Sequence, residues 1–322
     1  MDTQVKRCTF RRGTEKDLPE IAALFRRHNY GIRRSEWLHW KYFQNPDGPA
    51  RIYVAEDEEK GIIGLTARTP RRFTSTKTGA FDVFQNVDLF MAEQFRNKGI
   101  YGKLSKFAGN ERNYFLIGFP NELSHVVNEL DHVIPLEVWL FPLALSQLKV
   151  FFHHRAASFL LDLFSEMYTL MWFGSSPRNI QMKPVIRFKQ DFDVPSDFIQ
   201  GVRSAAFLNW RFCDNPTRRL SSFEFIENGE SIGYCVYAFS GTAAEIYDLV
   251  CIRRQRECMR LLIDHCRSWR FSHLSFQGVN LRLHRFGFMR CRSREDCILS
   301  DIRNGPRAPE GPWMLTLADR DV

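Results

Sequence analysis

The chain has 322 residues, of which 44% are hydrophobic, 25% charged and 14% aromatic, with 29 Phe. That composition excludes a disordered, collagenous or low-complexity chain, and at roughly 100–200 residues per domain the length predicts two domains. The formal net charge of +8 favours an anionic partner (coenzyme phosphates, an acidic carrier protein, nucleic acid or an anionic membrane) without choosing among them.

The opening residues carry no apolar signal-peptide core, and the 8 Cys are scattered without a CxxC pair. Reduced thiols and a cytoplasmic location are the expectation. Residues 8–11 read as a short strand. Thr14 then opens a helix, with Asp17 three residues on as a variant capping box and Pro19 in the first turn. Leu18, Ile21, Ala22 and Phe25 make its apolar face. A second helix covers 35–42. Strands follow at 52–56 and 61–68 around a charged turn, and 81–91 alternates as a long strand. Residues 99–111 return to helical spacing, with Ile100, Leu104, Phe107 and Ala108 on one face. An apolar strand at 114–119 and a helix at 121–130 complete this half.

Between 150 and 174, Phe152, Ala156, Phe159, Leu160, Leu163, Met167, Leu170 and Met171 form a helical stripe that stops at Gly174. The segment is broken by charges and holds no run of about 20 uncharged residues, so it does not read as a membrane span. The expectation is a helix packed between two halves. A membrane-surface role is disfavoured by Asp162 and Glu166.

The chain repeats itself. Trp37-Leu38-His39-Trp40-Lys41-Tyr42-Phe43-Gln44-Asn45-Pro46 is echoed by Phe207-Leu208-Asn209-Trp210-Arg211-Phe212-Cys213-Asp214-Asn215-Pro216. Ile63-Gly64-Leu65 recurs as Ile232-Gly233-Tyr234, and Val87-Asp88-Leu89 as Tyr247-Asp248-Leu249. A period of domain size means duplication, not a solenoid. The division is an N-terminal domain at 1–148, a linking helix region at 149–184 and a C-terminal domain at 185–322. The recurrence of Trp37, Trp40 and Trp210 favours packing over substrate stacking.

After the alternating strand comes Phe95-Arg96-Asn97-Lys98-Gly99-Ile100-Tyr101-Gly102-Lys103-Leu104. A basic, glycine-containing turn entering a helix offers unpaired N–H groups and the positive end of the helix dipole, so a diphosphate site is expected. It is neither a P-loop nor GxGxxG.

Arg96-x-x-Gly99, after a long strand and before an amphipathic helix, resembles the coenzyme A loop of the GCN5-related N-acetyltransferases, whose pattern is Gln/Arg-x-x-Gly-x-Gly/Ala; here Tyr101 and Gly102 depart from it. Gly118-Phe119-Pro120-Asn121 matches the place where that family often sets an asparagine near the pantetheine arm. The element order matches as well. The resemblance covers about 8–140, and in a weaker form about 185–295. It implies an α/β fold, that is, two tandem α+β domains, each a mostly antiparallel sheet with flanking helices. It also implies acyl-CoA, most simply acetyl-CoA, as co-substrate and an amine of a small molecule, such as an amino sugar or natural-product intermediate, as acceptor. An acyl carrier protein donor, or a non-catalytic acyl-CoA-binding regulatory protein, are the alternatives. The implied coenzyme contacts are Leu89, Phe90, Met91, Arg96, Asn97, Lys98, Gly99, Ile100, Tyr101, Gly102, Lys103, Asn121 and Ser124.

In that family an amine attacks the thioester carbonyl directly, and a backbone N–H of the long strand commonly holds the oxyanion. Alternation puts Phe84, Asn86, Asp88 and Phe90 on one face of this strand. Asp88 is the first candidate for general base or amine anchor, against a structural ion pair that its echo Asp248 favours. Glu93, His125 and His132 are weaker candidates. The family's thiolate-protonating Tyr is missing from 121–130, and Tyr101 or Tyr114 stand as substitutes. In the second half Arg253-Arg254-Gln255-Arg256 has no glycine, so side chains hinder phosphate approach and a lost coenzyme site is expected. Its arginines, from Arg253 through Arg270 and again from Arg282 to Arg294, read as a solvated face or a dock for an acidic carrier protein. No helix-turn-helix or zinc-finger spacing points to nucleic acid. Cys258, His265, Cys266 and His273 fit no common metal module.

Overall fold

The computed structural model describes residues 8–30, 34–110, 114, 116–119, 132–144, 155–300, 309 and 311–320. The first half runs β1 (Cys8–Arg12), α1 (Leu18–Arg27), α2 (Ser35–Phe43), β2 (Arg51–Asp57), β3 (Gly61–Ser75), β4 (Gly79–Met91), α3 (Ile100–Asn110), β5 (Leu116–Gly118) and β6 (His132–Pro142). The second runs α4 (Arg155–Phe173), β7 (Ile180–Pro184), β8 (Gln200–Gly201), α5 (Ala205–Leu208) continuing into a π-turn, β9 (Ser221–Glu227), β10 (Glu230–Ser240), β11 (Ala243–Cys251), α6 (Gln255–Ser268), β12 (His273–Val279), β13 (Met289–Ser300) and β14 (Leu315–Thr316).

Local chemistry explains the early elements. Asp17 accepts from Thr14 N at 2.7 Å and from Thr14 Oγ1 at 3.0 Å, so the expected box forms. The apolar face of α1 buries Leu18, Ile21, Ala22 and Phe25 as its spacing predicts, with Leu24 added. Strand β3 runs to Ser75, well past the predicted end at 68. Its second part reads as polar, with Thr69, Arg71 and Ser75 buried in it. Arg71 is held by Asp47 at 3.1 Å and Asp319 at 3.2 Å, and a hydrophobicity pattern cannot register a strand buried through ion pairs.

The twelve strands on the main path form one sheet, in the order β1-β2-β3-β4-β5-β13-β6-β12-β11-β10-β9-β7, with β14 on β12 and β8 on β3. The order is close to palindromic: β1-β2-β3-β4-β5 from one edge is mirrored by β7-β9-β10-β11-β12 from the other. Pairs β4/β5 and β11/β12 are parallel. The sheets of the two halves run on into each other as one. Strand β6 follows β5 in sequence but pairs with β12, while β13 pairs with β5 and with β6. Each half is completed by a strand of the other. Strand β7, inside the expected linking region, pairs with β9 at the far edge, where it corresponds to β1.

The halves also share a core. Trp40 and Trp210 stack at 5.2 Å, and each indole Nε1 donates to the other's backbone oxygen, at 3.1 and 3.0 Å. Reciprocal bonds between equivalent residues are the mark of a pseudo-two-fold. The same apolar cluster takes in Phe25 and Leu38 from the first half and Phe188, Phe207 and Tyr234 from the second.

Helix α4 is not packed between the halves. It lies against α6 and the second core, with Tyr168 near Phe141 and its hydroxyl donating to Gly287 O at 2.6 Å. Ser165 and Thr169 are fully buried on its inner side, while Leu160, Leu163, Phe164, Met167, Leu170 and Met171 are exposed. From Leu160 onward the predicted stripe faces outward. Glu166, which argued against membranes, is engaged by Arg260 and Arg267 of α6.

Candidate functional site

The site starts from a register change in β4. Ala67 pairs with Asp88 but Arg68 with Asn86, so Val87 bulges. A bulge kinks the strand and raises its twist, a device common beside active sites. Strand β5 pairs with Phe84, Gln85 and Asn86 and ends at Gly118. Beyond that point Leu89, Phe90 and Met91 continue with no described strand on their β5 side. Asn86, at the last pair, has a buried Oδ1 with no hydrogen-bond partner among the described residues. Sequence reasoning placed Asn86 on the strand but gave it no role; an acceptor without a donor becomes visible only in three dimensions. The bulge also breaks the expected alternation, so Asn86 and Asp88 do not share a face.

The turn after β4 lies open. Gly99 has φ +73°, a left-handed conformation that L side chains adopt at a cost, and a Cβ there would meet nothing within 4 Å. Asn97 is also left-handed, at φ 59°. At the start of α3, Lys103 N donates to Gly99 O at 3.3 Å. The N–H groups of the first turn thus have no partner within the helix. Buried Phe95 anchors the turn, with Lys60 Nζ 5.3 Å and Lys98 Nζ 5.8 Å from its ring centroid. Arg96 Nε donates to Met91 O at 3.0 Å, which ties the turn to the strand end. Arg96, Asn97, Gly99, Gly102 and Lys103 are exposed, Lys98 and Tyr101 half-buried, and Ile100 buried. The side chains of Phe90 and Met91 are buried, so only their backbone is available to a ligand.

The candidate base needs correction. Asp88 is 1% exposed. Its Oδ2 accepts from Lys41 Nζ and from Tyr42 Oη, both at 2.7 Å. A carboxylate sealed against its own counter-ion has no path to a substrate proton; it is the structural pair that the echo suggested. The second half repeats the device: Tyr247 bulges between Asp248 and Ile246, and Asp248 is buried against Arg203 at 2.6 Å and Tyr234 Oη at 2.6 Å. Burial pushes the Tyr234 hydroxyl far above its ordinary range, and the Asp248 charge adds to this. The substitute Tyr114 is buried too, its ring tilted against Phe84 at 4.1 Å and its hydroxyl accepting from Arg68 at 2.9 Å. Tyr101 packs by its ring against the first core. Glu93 is exposed at the end of β4. Asn121, Ser124 and His125 lie outside the described residues, as does the side chain of His132.

The equivalent turn in the second half is shorter. Arg254 takes the left-handed conformation, φ 57°, at the cap of α6, where the first half has Gly99. The neighbouring concavity of about 480 Å³ is lined by Arg253, Arg254, Arg256 and Arg285. Two of these arginines are held in ion pairs. Arg253 pairs with Glu227 and Glu230, and Arg254 with Glu227 and Glu257. Among the described residues no group of three or more His, Cys, Asp or Glu could hold a metal ion, and no helix is long and apolar enough to cross a membrane.

No protein-family model and no curated protein sequence matches the chain. Solved structures do. A GCN5-related N-acetyltransferase from Anabaena variabilis superposes with a TM-score of 0.62 at 11% identity, over 91% of this chain and 72% of that one. A GCN5-related N-acetyltransferase from Kribbella flavida gives 0.55 at 10% identity, over 92% and 72%. Likeness at such identity is a statement about architecture: the chain has the fold of the GCN5-related N-acetyltransferases.

Proposed function

We propose that the protein is an acyl-CoA-dependent N-acyltransferase whose coenzyme lies in the first half. The carrying observation is the open, left-handed Gly99 at the start of α3, directly beyond a bulged strand whose described pairing with β5 ends at Asn86. The diphosphate would sit on the first-turn N–H groups of α3, with Arg96, Lys98 and Lys103 supplying positive charge. The pantetheine arm would enter between β4 and β5, and Asn86 Oδ1 would accept one of its amide N–H groups. The backbone of Leu89, Phe90 and Met91 would bind the thioester, with one N–H meeting the developing oxyanion.

Chemistry then follows. The lone pair of a neutral amine adds to the thioester carbonyl, and the carbonyl π pair moves to oxygen. Collapse expels the coenzyme thiolate, which takes up a proton, while the amide nitrogen loses one. With Asp88 held by Lys41, the nitrogen's proton leaves to solvent in the cleft. The acceptor is read as a small-molecule amine and the acyl group as acetyl, on the strength of the fold. The second half serves as a structural partner, because Arg254 replaces the glycine and both it and Arg253 are already paired.

Titration calorimetry with acetyl-CoA tests the loop. Gly99→Glu sets a carboxylate against the diphosphate and should weaken binding roughly tenfold or more, about 1.4 kcal/mol per decade. Gly99→Asn, which tolerates the left-handed conformation, should keep the fold and most of the affinity. Wild-type affinity in Gly99→Glu would remove the assigned loop.

A further inference from the structure

A helix on a folded domain normally turns its apolar face inward; α4 does the reverse. Ser165 and Thr169 are fully buried against the fold. Ser165 Oγ donates to Leu161 O at 3.1 Å and Thr169 Oγ1 to Ser165 O at 2.8 Å, so these hydroxyls are satisfied by their own helix. Leu160, Leu163, Phe164, Met167, Leu170 and Met171 are between 45% and 70% exposed. We propose that this face is a homodimer interface, in which α4 packs antiparallel on α4 of a second copy.

The spacing supports a helical partner. Leu160 and Met167 stand seven apart, as do Leu163 and Leu170, and Phe164 and Met171. That is the a, d, e pattern of a two-helix seam, and it runs for about 17 Å at 1.5 Å per residue. The helix is already held by α6 through the ion pairs of Glu166 with Arg260 and Arg267, so pairing need not meet the cost of forming it. If each of the six side chains gives up roughly 100 Å², two copies bury about 1,200 Å², the lower bound of a specific interface. A two-fold seam centred on Met167 is self-complementary, as an isologous contact demands. A lipid surface fits less well. An interfacial helix carries Lys and Arg beside its apolar face, whereas residues 156–173 hold none and do hold Asp162 and Glu166.

Sedimentation equilibrium of the full chain in the micromolar range reads the proposal. The wild type should approach twice the 37.9 kDa chain mass. Leu163→Glu with Met167→Glu should be monomeric with an unchanged circular dichroism spectrum, and its thermal midpoint should lose the dependence on protein concentration that a dimer shows. Met167→Cys should give a covalent dimer under mild oxidation. A wild type that remains monomeric and a Met167→Cys that does not cross-link would overturn the proposal. So would wild-type protein that stays monomeric and pellets with phosphatidylglycerol vesicles, which would give the face to a membrane.

Discussion

Asp88 and Asp319 are both buried against basic side chains, Asp88 against Lys41 and Asp319 against Arg203. Lys41 and Asp88 are both inaccessible, so neither charge has water to fall back on. Removing one partner of such a pair leaves an uncompensated charge, at a cost of about 3–5 kcal/mol. Asp88→Asn should therefore lower the urea midpoint strongly, whereas replacing both residues by apolar ones of similar volume should cost far less. A catalytic Asp88 would behave otherwise: activity would fall with stability intact. Titrating groups add a pH signature. Burial holds the His265 imidazole below its ordinary pKa, with Tyr237 Oη 2.9 Å from Nε2. The fold thus favours neutral His265. Its contribution is present above the unfolded value near 6.5 and is lost as pH falls through the lower folded value. Asp319 adds to the loss in stronger acid: burial raises its pKa, but Arg203 and Arg71 outweigh that and hold it below the usual carboxylate range. Unfolding free energy measured from pH 8 to 4 should decline with His265, and His265→Phe should flatten the upper part of that decline.

At the scale of elements, the same strand–turn–helix unit has diverged in its two copies. Bulge, buried aspartate and parallel neighbour are kept in both, so they belong to the architecture. What differs is the turn: Gly99 is open, while Arg254 is left-handed and tied to Glu227 and Glu257. A non-glycine residue in that region costs about 1–2 kcal/mol. Arg254→Gly should consequently change stability little, relief of strain offsetting the lost ion pairs, and should leave acetyl-CoA affinity untouched in calorimetry. A clear loss of affinity would place a coenzyme in the second half.

For the whole molecule, the exchange of β6 and β13 decides how the chain folds. A fragment ending at 148 would lack β13 beside β5 and leave β6 without β12. Unpaired strands of this kind aggregate. Expressed separately, the two halves should be insoluble or unfolded, and co-expression should recover a complex. The full chain should melt in one transition, since the core and the Trp40–Trp210 contact span both halves. Gly201 lies at this junction, where a Cβ would fall 2.4 Å from an Arg71 nitrogen and 2.5 Å from an Arg203 nitrogen, so Gly201→Ala should lower the midpoint of that single transition.

The sequence alone yielded whatever depends on local periodicity and on residue chemistry at fixed spacing. This includes α1 and its capping box, the boundaries of α3, the duplication read from the tryptophan motif, and the basic glycine turn. Helical and strand periods are written in neighbouring residues, and a left-handed turn calls for glycine. Which strand lies beside which was not legible, because pairing between distant segments is settled by the shared core. Nor was the direction of the α4 stripe, since an apolar face reads the same whether it turns inward or out. The fate of Asp88 depended on Lys41, 47 residues away in the chain. Only the tertiary structure could bring that ammonium to 2.7 Å from the carboxylate and turn a candidate base into a buried ion pair.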